Sequence, residues 1–471
     1  MTVLFQLTLI TLFIAIGWTI PKLALASLRA DILTSAGNGG GPHILRFSSD
    51  GKRILSNFFA YNKEYLGWVS IASGDIDGDR EPEIVVGSGR DHKGQVKVFE
   101  LNGTQKFINF FYPFGEHYTQ GINVAVGDVD GDFIDEIICG AATDSQAWVK
   151  IYKYSSEKTI VAEFMAYHPD FKGGVYLAAG DVDGDGLDEI ITGAGYGGGP
   201  HVRVFDIKNG KAYPKPMNFW PFHLNYHYGV RVASGDVDGD GKDEIICGQA
   251  SGQAWIKIYK YDSKRTIVSN FLAYHPSFLG GVSIASGDID GDGKDEIITG
   301  AGKGGGPHIR IFKGDDRAKY TNFFAYDRQF RGGINIAVTN IKKFPTCKNG
   351  CRKAKVVDVE DGDTIFLQNG KKVRYIGIDT LELDRKYGKK ATEINKKLIK
   401  GKEVILEFDT GNLDPYGRVL AYVFVGDLFV NLELVRQGWA RVTIYPPDVK
   451  YAAILRKAEE IARFKRNGIW Q

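Results

Sequence analysis

Between residues 31 and 341 apolar and polar positions alternate in short runs rich in Val and Ile and closed by Gly, Asp or Asn, the period of strands and not of helices. The runs recur in a fixed order. An acidic segment DIDGDREPEI begins at Asp75, and DVDGDFIDEI, DVDGDGLDEI, DVDGDGKDEI and DIDGDGKDEI begin at Asp128, Asp181, Asp236 and Asp288, at steps of 53, 53, 55 and 52 residues. Chance does not hold that register, so the region is an array of one supersecondary unit. Each unit reads as four strands: a GGVxIA run leading into the acidic hairpin, an EIITG run, a PHVRVF or AWVKIYKY run, and a last run ending in aromatics such as Asn57-Phe58-Phe59 or Asn322-Phe323-Phe324. A further step of 52 reaches Asn340 in AVTNIKK, a copy without acidic side chains, while Asp31-Ile32 matches only the strand that follows the loop. Six EIxxG-type runs (from Asp31, Glu83, Glu136, Glu189, Glu244 and Glu296) and six GGVxIA-type runs, the last at 333–337, predict six blades. The first and last segments then share a blade, which closes the ring and removes exposed sheet edges.

After Ile341 the pattern changes. A basic stretch, with a linker placed at 344–354, leads to a region at 355–471 with strand-like runs AKVVDVEDGDTIFL, KKVRYIGID, KEVILEFD and RVLAYVFV, followed by two helices. The second, at about 449–465, sets Ala452, Leu455, Ala458 and Ala462 on one stripe, and Asn467-Gly468 ends it. The fold class is mainly β: a six-bladed β-propeller over 27–343 and a small closed barrel of OB-fold type with helices over 355–471.

The charge is nearly balanced, with 59 basic against 57 acidic groups, so no general polyanion coat is indicated. Its distribution is uneven: 23 basic and 17 acidic groups lie from residue 352 onward, leaving 36 and 40 before it. The small domain carries the positive charge. Cys139 and Cys247 hold equivalent places in EIICG and read as buried thiols. Cys347 and Cys351 in CKNGC read as a small disulfide-closed loop or as two free thiols. At the N-terminus, residues 3–20 are apolar and Ala24-Leu25-Ala26 supplies a cleavage pattern, so 1–26 is expected to be a signal peptide. No Lys or Arg precedes the run and its length suffices to span a bilayer, which leaves an N-terminal membrane anchor open. The expected location is extracellular, secreted or anchored at the cell surface.

The acidic loops place carboxylates at positions 1, 3, 5 and 9: Asp75, Asp77, Asp79 and Glu83; Asp128, Asp130, Asp132 and Glu136; Asp181, Asp183, Asp185 and Glu189; Asp236, Asp238, Asp240 and Glu244; Asp288, Asp290, Asp292 and Glu296. Four hard oxygen donors, with a backbone carbonyl at position 7, suit Ca²⁺ better than a transition metal. Like charges about 4 Å apart repel by several kcal/mol at an effective dielectric near 20, so a bare solvated turn is disfavoured. Arg80 and Phe133 stand where the other three loops have Gly, which weakens the reading there. The repeats resemble the FG-GAP/VCBS repeats of integrin-α-type propellers, a family that serves adhesion, ligand binding and scaffolding alike. A surface or polymer ligand of the propeller is therefore expected but not specified. The repeated GGGPH, with His43, His201 and His308, reads as a structural turn and not a metal site, and the aromatic pairs Phe110-Phe111 and Phe219-Trp220 as packing.

From residue 344 onward there is no His and no Ser, which excludes a Ser–His triad and imidazole-based phosphoryl transfer in that domain. Carboxylates and arginines remain: Asp361 and Asp363 in EDGDT, Arg374, Asp379 and Glu382 in RYIGIDTLE, and Arg418 in DPYGRVLAY. Such a set suits phosphodiester hydrolysis, in which a hard cation and guanidinium forks stabilise charge on phosphate oxygens. These motifs, with NLELVRQGWA and the terminal NGIW, resemble the thermonuclease (staphylococcal-nuclease-like) family over nearly all of 355–471. The resemblance implies Ca²⁺ on Asp363, Asp379 and the Thr380 carbonyl with Asp361 nearby, Glu382 as general base, Arg374 and Arg418 clamping the phosphate, and Tyr416 lining the nucleotide pocket. It implies cleavage of DNA and RNA at the 5′-side P–O bond. Leu381 replaces the family's usual Pro and the loop before Tyr387 is short. The basic residues Lys371, Lys372, Arg385, Lys386, Lys389, Lys390, Lys396 and Lys397 lie near this site in sequence. The expected function is a secreted calcium-dependent nuclease with a targeting or scaffolding propeller. The alternative is a cell-surface adhesion protein whose small domain binds nucleic acid without cutting it.

Overall fold

The computed structural model describes residues 29–155, 157–314, 319–339, 351–426 and 428–471. The expected leader at 1–26, the Asn340 copy of the loop and Cys347 lie outside the described residues.

Six four-stranded antiparallel sheets form the propeller. In the first blade the strands are Val69–Gly74, Glu83–Ser88, Val96–Phe99 and Gln105–Phe111, and the next four blades repeat the order. Their first strands stand side by side around the axis. The second strands of all six sheets are buried at every position apart from Gln249, which is why they read as near-continuous apolar runs. Small residues on these strands let neighbouring blades approach: a Cβ on Gly193 would lie 2.1 Å from the Val230 carbonyl of the next blade.

The sixth blade is built from both ends of the array. Ile334–Val338 pairs with Ile32–Ala36 in the register Ile32↔Val338 to Ala36↔Ile334, and His43–Phe47 and Ile54–Phe59 complete the sheet. The Asp31 N–H donates to Thr339 Oγ1 at 2.8 Å, and Thr339 N–H to the Asp31 carbonyl at 3.0 Å. The shared blade expected from the repeat count is thus present.

The C-terminal domain has strands β1 (Cys351–Val359), β2 (Thr364–Leu367), β3 (Lys372–Tyr375), β4 (Ile378–Thr380), β5 (Glu403–Glu407), β6 (Val419–Val425), β7 (Leu428–Phe429) and β8 (Ala440–Val442), with helices α1 (Gly388–Ile399), α2 (Val430–Arg436) and α3 (Ala452–Phe464). The sheet order is β3-β2-β1-β5-β6-β7, and a parallel pairing of β3 with β6 closes it into a barrel. β1 serves two neighbours, β5 through its first half and β2 through its second. The expected order of strands followed by two helices is corrected by α1, which lies between β4 and β5 and buries Ala391, Leu398 and Ile399 while its lysines face outward. Cys139 and Cys247 are buried free thiols, and Cys351 is disulfide-bonded. No helix among the described residues is long and apolar enough to cross a membrane.

The two domains touch. Phe133 stacks at a tilt on Tyr451, 5.1 Å between ring centroids, and packs against the barrel's apolar core. Lys465 Nζ lies 2.9 Å from Asp79 Oδ2, and Gly78 sits against the Lys457 side chain. The loops at Asp75 and Asp128 are therefore the ones that meet the C-terminal domain.

Candidate functional site

The barrel brings Asp363, Arg374, Asp379 and Thr380 together. Asp363 ends the tight turn between β1 and β2, where its N–H bonds Asp361 Oδ1 at 3.0 Å, and its side chain is 4 % exposed. Its Oδ2 accepts from the Thr380 N–H at 2.6 Å and from Thr380 Oγ1 at 2.9 Å, and its Oδ1 lies 3.1 Å from Arg374 Nε. Arg374 also donates to Asp379 Oδ1 at 2.7 Å and to the carbonyls of Tyr375 and Ile378 at 2.9 and 2.7 Å. One guanidinium thus spans two carboxylates carried by different strands, and β3 is placed so by its pairing with β2, Thr364 opposite Arg374. Burial pushes the Asp363 carboxyl up to about 6, with Arg374 opposing that rise.

Arg418 precedes β6. Arg374 pairs with Leu420, so Arg418 lies two residues before that partner, at the start of the strand next to β3. Arg418 Nε is held by Asp414 Oδ2 at 2.5 Å, and its guanidinium lies over the Tyr416 ring, which is 84 % exposed. Glu382 is exposed, and its carboxylate has no hydrogen bond among the described residues. Its loop is tight: Arg385 N–H bonds the Glu382 carbonyl at 2.9 Å, and a Cβ on Gly388 would come within 2.0 Å of that oxygen. Four of the expected residues are joined by hydrogen bonds and ion pairs, whereas among the described residues none of these links reaches Glu382, Arg418 or Tyr416.

Two residues escaped the sequence reading. Asn395, fully buried on α1, accepts from the Tyr375 hydroxyl at 2.9 Å and donates to the Asp361 carbonyl at 3.3 Å, bracing the turn that carries Asp363. Only its amide on the helix face that also carries Ala391, Leu398 and Ile399 could have marked it. Gly388 is the other.

An all-oxygen set of two carboxylates and a carbonyl suits a hard divalent ion. The donor set therefore fits calcium by its chemistry, and because the Arg374 guanidinium bridges Asp363 and Asp379, an ion would enter between them only where that guanidinium turns aside.

In the propeller, the carboxylates of Asp75, Asp77 and Glu83 and their equivalents in the other four loops come within 4.8 Å of one another. Burial and the neighbouring acids push the carboxyl of Glu83 up to about 9 and that of Glu244 to about 8. Yet a lysine ammonium reaches each cluster, and these loops do not fit a metal ion unless that ammonium leaves. The acids at position 8 serve the preceding loop instead: Asp75 N–H donates to Asp135 Oδ2 and Asp128 N–H to Asp188 Oδ2, both at 2.9 Å. His43, His201 and His308 stack on Phe59, Trp220 and Phe324 and bond Asn57, Asn218 and Asn322 within their own blades.

Residues 372–471 match the family model described as staphylococcal nuclease homologue. FG-GAP-like repeats match at 75–139 and 236–299, and an FG-GAP repeat at 174–210. The chain is 39 % identical over 122 residues to the thermonuclease of Staphylococcus intermedius, covering 24 % of this chain and 73 % of that protein. It is 38 % identical over 125 residues to the thermonuclease of Staphylococcus hyicus, covering 25 % and 74 %. Endonuclease YncB of Bacillus subtilis is 41 % identical over 121 residues, covering 23 % and 57 %. These relatives support nuclease activity for the C-terminal domain.

Proposed function

The chain belongs to the staphylococcal nuclease family through its C-terminal domain, and we propose on that footing that it is an exported, calcium-dependent nuclease hydrolysing DNA, RNA or both, with the propeller as a carrier or a targeting module. The carrying observation is the contact of Arg374 with both Asp363 and Asp379. Asp363, Asp379 and the Thr380 carbonyl would hold Ca²⁺, which when bound neutralises charge on the scissile phosphate. Thr380 fixes Asp363 through two hydrogen bonds, so that carboxylate needs no reorganisation. Arg374 and Arg418 present guanidinium forks to the phosphate oxygens. Glu382, solvent-exposed, takes the proton of the attacking water; the water oxygen bonds to phosphorus, the P–O bond on the 5′ side breaks, and the leaving 5′ oxygen takes a proton from solvent water. Export is supported by the disulfide at Cys351.

The test is hydrolysis of DNA and RNA by the full chain with Ca²⁺, with EGTA, and with Glu382→Gln. Cleavage only with calcium, reduced by two or more orders of magnitude in the variant, is expected. No cleavage of either polymer with calcium present overturns the enzyme reading, and retained polynucleotide binding would then point to a binding protein.

A further inference from the structure

The five acidic loops raise a question of charge that their own sequence does not answer, since in each a buried glutamate stands among two aspartates whose charge must be neutralised. In every one a lysine does so. Lys106 Nζ lies 2.7 Å from both Asp77 and Glu83, and Lys153 Nζ lies 2.6 Å from Asp130 and 2.7 Å from Asp132. Lys215 Nζ is 2.5 Å from Asp183 and 3.0 Å from Glu189, Lys260 Nζ 2.5 and 2.8 Å from Asp238 and Asp240, and Lys313 Nζ 2.8 and 3.0 Å from Asp290 and Asp292. These are carboxylates of positions 3, 5 and 9, the groups on which a metal ion would sit.

The lysines do not come from one place in the repeat. Three of them, Lys153, Lys260 and Lys313, occupy the position that follows the last aromatic of the third strand, Tyr152, Tyr259 and Phe312. In the first and third blades that position is acidic, Glu100 and Asp206, and the lysine comes instead from the fourth strand. Lys106 follows Gln105, which pairs with Phe99, and Lys215 follows Pro214, which pairs with Phe205. The fourth-strand equivalents in the second, fourth and fifth blades are Val161, Val268 and Tyr320, none of them cationic. The displaced acid bonds the relocated lysine: Glu100 lies 3.1 Å from Lys106 and Asp206 lies 2.7 Å from Lys215.

The sixth blade is the control. Its first and second strands come from opposite ends of the array, so no acidic loop joins them, and its two equivalent positions are Ser48 and Leu55. Each of the five acidic loops has one lysine from its own blade, carried by either of two strands, with Lys465 of the barrel added at Asp79, and the blade without a loop has none at the equivalent positions. A solvated surface lysine would not follow the loop in this way, because nothing would select its position against a particular set of carboxylates.

We propose that these five loops carry a built-in ammonium as their cation, so that the propeller folds without metal and calcium enters a loop only by displacing its lysine. The tether gives the ammonium an effective concentration on the order of millimolar or more at its own loop, and a metal must outcompete it. The barrel's carboxylate pair is likewise bridged by a side-chain cation, Arg374, so the inference concerns the propeller loops alone and stands whether or not the barrel cuts nucleic acid.

The test is calcium counting by flow dialysis on the full chain at about 100 μM free Ca²⁺, a level that saturates sites of about micromolar Kd. The wild-type chain is expected to bind one ion or none. Lys→Met substitution at Lys153, Lys260 and Lys313 keeps the length of the stem and removes the charge. The triple variant should gain up to three ions, and its thermal midpoint, lowered in EGTA, should recover with calcium. The single variant Lys313→Met should gain one. Five or more tightly bound ions in the wild type overturn the proposal, as does a wild-type propeller that unfolds in EGTA. So does a Lys313→Met chain that folds and gains no calcium.

Discussion

The guanidinium of Arg374 has four acceptors, two of them backbone carbonyls, whereas among the described residues Arg418 pairs with one acid, Asp414, and its side chain is 28 % exposed. The two arginines should therefore separate in a mutational test although both face phosphate in the proposed mechanism. Arg374→Ala leaves the buried Asp363 without its partner, and about 1–3 kcal/mol of stability should be lost. Arg418→Ala breaks one partly exposed ion pair and should cost at most about 1 kcal/mol. Both should lose about 10²–10³ in kcat/KM, the effect of removing one preorganised donor. Melting curves beside steady-state kinetics would show it, and an Arg418→Ala enzyme of normal activity would remove that residue from the mechanism. A second residue-scale expectation concerns the thiols. Cys139 and Cys247 are fully buried, and burial pushes both pKa values well up, which withholds the reactive thiolate. An aromatic disulfide reagent at pH 8 should leave both unmodified until denaturant is added; rapid labelling of the native chain would contradict this.

At the scale of elements, the part of the molecule that was legible in its sequence is the part with local period. The steps between acidic loops set the blades, and the unequal ends, Asp31 and Gly333–Ala337, required the shared sixth blade that Ile32↔Val338 pairing displays. In the barrel, the charged residues of one turn and one strand could be picked out because motif spacing is itself local. What stayed hidden depends on contacts across strands. The lysines of the acidic loops lie 20 to 32 residues from the carboxylates they hydrogen-bond and change strands between blades, so the like-charge repulsion that suggested calcium had an unseen partner. Asn395 and Gly388 were hidden for the same reason. Gly388 makes a prediction at this scale: its absent Cβ leaves room for the Glu382 carbonyl, and Gly388→Ala must push that loop outward. Displacement of a catalytic group by about 1 Å can cost on the order of 10²-fold in rate. The expected outcome is a fall of that size in kcat with calcium affinity unchanged, because Asp363 and Asp379 lie on other elements. If kcat survives, the loop is not what aims Glu382.

For the molecule as a whole, the substitutions that weakened two of the acidic loops acquire a reason. Arg80 and Phe133 adopt φ of +68° and +64°, where the other loops place Gly186, Gly241 and Gly293, and such a backbone costs a non-glycine residue about 1 kcal/mol or more. That cost is offset where the loops meet the barrel: Phe133 packs on Tyr451, and Lys465 pairs with Asp79 of the other loop. A glycine at position 133 should then act on the two domains with opposite sign. Phe133→Gly relieves the strained backbone of the second blade's loop and should stabilise the propeller by up to about 1 kcal/mol. It also withdraws an aromatic ring from the barrel's core and should destabilise the barrel by about 1–3 kcal/mol. Calorimetry of the full chain would show the barrel's transition moving down while the propeller's holds or rises. Lys465→Ala, which removes only a partly exposed ion pair, should move neither by more than about a degree or two. If Phe133→Gly lowers the propeller and leaves the barrel where it was, the ring belongs to the blade alone and the two domains are joined only by their linker.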